Sequence, residues 1–81
     1  MIRIWADFNA LDGTLIPLDF KGSLADIRRQ NIDLKEGLRV VVYDDGYQAE
    51  VTVVKVRGEW YGRIIEGTGQ AALAEPPPLD E

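Results

Sequence analysis

The chain has 81 residues with no cysteine and no histidine, so disulfides, thiolate nucleophiles, Cys-based zinc sites and the histidine base of most hydrolytic triads are excluded. Its formal net charge of −5 is uneven: residues 67–81 contribute Glu75, Asp80 and Glu81 with no base, leaving 11 acids against 9 bases before them. Those bases are interspersed with acids rather than clustered, which disfavours nucleic acid as a partner, and no apolar run approaches the ~20 residues of a membrane span.

Residues 2–9 alternate, with Ile2, Ile4, Ala6 and Phe8 on one side and Arg3, Trp5, Asp7 and Asn9 on the other, the period of a half-buried strand. Asp12 and Gly13 signal a turn, and residues 14–20 read as the returning strand of a hairpin. Pro17 has no N–H to give a ladder, so this strand is expected at a sheet edge or bulge. Ser23 is the expected N-cap of a short helix over residues 24–30, with Leu24, Ile27 and Ile32 as docking residues. Arg28 and Arg29 fall near its C-terminus, where positive charge suits the helix dipole.

After a turn at Lys35–Gly37 comes the longest strand-like region, residues 38–65. Leu38 to Tyr43 form one strand, and Asp45 followed by Gly46 predicts a tight hairpin in which glycine supplies a positive φ. In the next strand Tyr47, Ala49, Val51 and Val53 share one parity while Val54 and Val56 take the other, predicting a bulge near Val53 and Val54. Gly58 turns the chain into a strand over residues 59–65. From Gly67 the sequence becomes Gly-rich, then Pro-rich and acidic, and residues 67–81 read as a disordered tail.

Five aromatics, Trp5, Tyr43, Tyr47, Trp60 and Tyr61, stand out as a recognition surface of the kind that holds a cation by cation–π attraction or grips a peptide. Asp44 and Asp45 would assist if the ligand is basic. With Asp7 or Asp12 they form an oxygen-rich set, but the spacing matches no EF-hand loop and Asp before Gly serves a turn, so no metal or cofactor is expected. Carboxylates such as Asp7, Glu50 and Glu59 offer no enclosed cleft at this chain length, and the chain is read as non-catalytic.

The run from Lys35 to Gly46, then Ala49-Glu-Val, then Gly58 to Ile65 resembles the central strands of SH3-like barrels, Tudor-type domains included. The segments Ile4 to Asn9 and Gly22 to Asp26 are similar to stretches of small uncharacterised bacterial proteins. The Tudor likeness implies an aromatic cage at Tyr43, Tyr47 and Trp60. Residues 1–66 are therefore expected to form a five-stranded, bent antiparallel SH3-like barrel with one short helix. The expected role is a small cytoplasmic binding module for a protein or peptide, monomeric or weakly dimeric. The alternative is a regulatory or structural subunit that self-associates through an edge strand, next to the Pro17 strand or at residues 59–65.

Overall fold

The computed structural model describes residues 1–71, residue 71 by its backbone alone. Residues 72–81, the greater part of the expected tail, lie outside the described residues. Along the chain come β1 (Arg3–Trp5), a 3-10 turn (Phe8–Ala10), β2 (Leu15–Pro17), α1 (Lys21–Arg29), β3 (Arg39–Tyr43), β4 (Tyr47–Val56), β5 (Glu59–Ile64) and β6 (Gln70–Ala71). The fold is mainly β with one helix, as the period-two patterning indicated.

The strands follow the path β1-β3-β4-β5-β2, and β6 joins β4 beyond the reach of β5. The path does not close, and it is mixed rather than antiparallel throughout. β1 runs parallel to β3 with Trp5 beside Tyr43, whereas β2 lies antiparallel to β5 with Pro17 beside Tyr61. The expected hairpin of residues 2–9 with 14–20 is thus overturned. Its two strands sit at opposite ends of the sheet because the first stops early: the Asp44 carboxylate accepts the Phe8 N–H at 3.0 Å and the Asp7 carboxylate accepts the Asn9 N–H at 2.9 Å. These two bonds draw the backbone into the 3-10 turn. Pro17 occupies an end strand, as its missing donor requires.

β4 is uninterrupted over its 10 residues, in continuous register with β3 from Thr52 to Gln48 and with β5 from Val51 to Val56. The bulge expected near Val53 and Val54 is absent. Ala49, Val51 and Val53 are buried in the core, while Val54 lies half-buried on the other face beside Tyr61, so the apparent phase change records a strand covered on both sides. Because β5 lies between β4 and β2, residues 59–65 are not an edge. The positive φ expected at Gly46 is found instead at the β4–β5 turn, where Arg57 has φ 53° and Gly58 φ 80°. That pair of angles matches the right-handed twist of a two-residue hairpin.

Ile4, Ala6, Ile16, Leu18, Val40 and Val42 complete the core, drawn from both sheet ends and the centre. Each fully buried aliphatic side chain contributes about 1.5–3 kcal/mol relative to exposure. Gly62 is dictated by this packing, since a Cβ there would lie 2.6 Å from Val51 Cγ2.

The helix begins at Lys21, with Phe20 rather than Ser23 at its N-cap. Ser23 is buried, and its hydroxyl donates to the Trp5 carbonyl at 2.6 Å. One helical turn on, the Asp26 carboxylate accepts the Trp5 N–H at 2.9 Å, and beyond it the Gln30 amide donates to the Arg3 carbonyl at 2.7 Å. Spacings of three and four residues align these side chains on one helix face. Three side chains of α1 and its C-cap thereby satisfy the Arg3 carbonyl and both backbone groups of Trp5, which β1 presents away from β3, protecting this stretch of sheet edge without a further strand. Leu24 is 45% exposed and does not dock, whereas Ile27 and Ile32 pack on the core.

Residues 67–71 run alongside β4. Thr68 accepts the Glu50 N–H through its hydroxyl oxygen at 3.0 Å and donates to the Ile65 carbonyl at 2.7 Å, filling the gap between β5 and β6 alongside β4.

Candidate functional site

Where β1 gives way to the 3-10 turn, the chain passes the β3–β4 turn. Trp5, Asp7, Phe8 and Asn9 from the first segment and Asp44, Asp45, Gly46 and Tyr47 from the second line a cleft of about 430 Å³. Asp44 builds it. Its carboxylate accepts from Gly46 N–H at 2.8 Å, Tyr47 N–H at 2.9 Å and Phe8 N–H at 3.0 Å, so one side chain both shapes the turn and ties it to the opposite wall. Burial alone would raise the Asp44 pKa, but these three donors outweigh it and hold the carboxyl below its ordinary range.

The aromatic walls are fixed as well. Gly22 comes so close to the Trp5 indole that a Cβ would fall 2.9 Å from its ring, and Phe20 packs on the same indole at a centroid distance of 6.4 Å. Tyr47 is 57% exposed, and its ring leans on Phe8 at 5.8 Å between centroids. Asp7, Asp44 and Asp45 contribute three carboxylates to the lining, and no lysine or arginine lines it. Among the described residues no three carboxylates are arranged to hold a metal ion. The cleft is thus an acidic aromatic recess suited to an extended organic cation.

Of the residues singled out from sequence, Trp5, Asp44, Asp45 and Tyr47 meet here. Tyr43 does not: its partner across β4 is Gln48, which puts it on the opposite face from Tyr47. Its hydroxyl donates to Asp26 at 2.7 Å, and Arg3 lies over its ring at 4.8 Å. Trp60 packs against the core with Lys55 over it at 4.9 Å, and Tyr61 lies beside Pro17 on the other face of β5. Eight residue steps along β4 lead from Tyr47 to Lys55, the neighbour of Trp60, a span of ~26 Å at strand rise. The cage implied at Tyr43, Tyr47 and Trp60 therefore does not assemble. Of the two basic residues at the helix end, Arg29 pairs with Asp26 while Arg28 is exposed.

Sequence patterning does not mark Phe8 and Asn9 as ligand-binding residues, and it brings in Asp7 only through an oxygen-rich set whose spacing fits no metal loop. Strand alternation places Phe8 in the core, and the available signal is local: an Asp side chain can accept the backbone N–H two residues on, as Asp7 does from residue 9, a turn that ends a strand.

No protein-family model matches this chain, and neither a curated protein nor a solved structure matches it.

Proposed function

We propose that this chain is a non-catalytic binding module for a protein or peptide, and that the cleft between the Trp5–Asn9 segment and the β3–β4 turn receives a basic side chain of that partner. One observation carries the reading: three aromatic rings and three carboxylates surround the recess, with no basic residue in its lining. A guanidinium or ammonium entering it gains both Coulombic attraction and the face or edge of an aromatic ring. A non-catalytic role is supported by the state of Asp44, whose carboxylate is occupied by backbone donors, and by the absence of histidine and cysteine from the sequence. The β3–β4–β5 meander with Trp60 near the start of its last strand supports an SH3-like affiliation, while the parallel β1 and the open path set it apart from a closed barrel.

Calorimetric titration with basic and acidic peptides of equal length tests this function. The basic peptides should bind, weaken as salt is raised, and lose affinity in Asp45→Asn. Equal affinity for the acidic set would overturn the reading.

A further inference from the structure

A second recess adjoins the first. It measures about 390 Å³, and Leu11, Ala49 and Ile64 line it together with Phe8 and Tyr47. Phe8 and Tyr47 thus belong to both hollows, and their ring pair, 5.8 Å between centroids, stands as the partition. One side is acidic and the other apolar. Leu11 and Tyr47, 40% and 57% exposed, are two of the few large hydrophobic residues left open to solvent among the described residues.

We infer that the two hollows are subsites for one extended peptide bearing arginine or lysine and, two positions away, a bulky aliphatic residue. This rests on the reading of the acidic cleft given above and adds the second element of its ligand. The spacing follows from chain geometry. Side chains two residues apart in an extended peptide share a face and stand ~6.6 Å apart, a span comparable to the ring pair between the hollows. The basic residue faces Asp7 and Asp45, and the aliphatic one displaces water from Leu11, Ala49 and Ile64. Charge selects this occupant over two others. Residues 72–81 of the chain itself carry three acids and no base, and a second copy brings a net charge of −5.

The test uses the full chain and three capped pentapeptides: Gly-Arg-Ser-Leu-Gly, Gly-Arg-Ser-Ser-Gly and Gly-Ser-Ser-Leu-Gly. Dissociation constants and backbone amide shifts are followed together. The first peptide is expected to move Gly46 and also Ala49, Ile64 and Gln70, and to bind about tenfold more tightly than the second, as burial of one aliphatic side chain allows. In Leu11→Ser that tenfold gap closes. Equal affinity of the first two peptides, with shifts confined to residues 44–47, would overturn the two-subsite inference and leave the acidic cleft standing. If neither arginine peptide moves residues 44–47, the cleft itself is not a cation site and both readings fall. Shifts at Ala49 and Ile64 on concentrating the protein without peptide would identify a second copy as the occupant and likewise overturn the inference.

Discussion

Asp26 serves Trp5 as a neighbouring strand would: its carboxylate accepts the Trp5 N–H at 2.9 Å, while Ser23 of the same helix face donates to the Trp5 carbonyl at 2.6 Å. Asp26 is 8% exposed and also receives the Tyr43 hydroxyl and the Arg29 guanidinium. Replacing it by alanine strands a backbone donor and a phenol. Asp26→Ala is expected to cost about 2–3 kcal/mol in urea unfolding. Arg29→Ala is expected to cost under about 1 kcal/mol, because the arginine side chain is 66% exposed and its ion pair is screened. Equal losses in the two variants would contradict the edge-capping role.

The same contacts set a pH dependence at both extremes. Burial would raise the Asp26 pKa, but hydrogen bonds from Tyr43, Arg29 and Trp5 lower it below the ordinary range. The stability it contributes is therefore complete above the unfolded value of about 3.9 and is lost as pH falls through the lower native value. Tyr43 shifts the other way: donation to Asp26, then burial, raises its pKa. Its contribution is complete below the unfolded value of about 10 and is lost as pH rises through the native value. Urea midpoints measured against pH should decline at both ends, with a smaller alkaline decline in Tyr43→Phe. An alkaline limb unchanged in that variant would show the hydrogen bond to be energetically silent.

Asp44 joins the two walls of the cleft by accepting from Phe8, Gly46 and Tyr47. Asp44→Ala should lower stability by about 1–3 kcal/mol, and it should also release the Phe8–Tyr47 ring pair, which lies 5.8 Å apart. Loss of ring-current shifts on the Phe8 and Tyr47 resonances would report that release. Retention of those shifts in a folded Asp44→Ala would show that ring packing, not the carboxylate, aligns the walls.

Gly62 faces Val51 with no room for a methyl group, since a Cβ at position 62 would stand 2.6 Å from the nearest Val51 carbon. Gly62→Ala is expected to cost about 1–3 kcal/mol by overpacking, and the additional change Val51→Ala should recover part of that loss. Additive losses in the double variant would locate the strain elsewhere.

Much of this fold is legible in residue patterns, because period-two alternation and turn residues are local signals. The strands β3, β4 and β5, the turn before Leu38 and the edge position of Pro17 all follow from them. What stays hidden depends on partners far apart in sequence. β1 pairs in parallel with β3, and the Phe8 N–H meets Asp44, 36 residues away; no local pattern announces either contact. Ser23 has the chemistry of an N-cap, yet its hydroxyl is taken by a carbonyl 18 residues earlier. The site is half legible for the same reason: Trp5 and Tyr47 can be chosen as aromatics near turns, but only the parallel pairing of β1 brings Trp5 to the β3–β4 turn. Trp60 and Tyr61 carry the same compositional signal and stand elsewhere on the sheet.

Backbone and indole shift mapping of the full chain with an arginine-containing peptide tests the central claim most directly. The account predicts shifts centred on the Trp5 indole, Asn9, Asp45 and Gly46, falling away towards Trp60 and Tyr61. Shifts centred on Trp60 and Tyr61, with Asp45 and Gly46 unmoved, would contradict it.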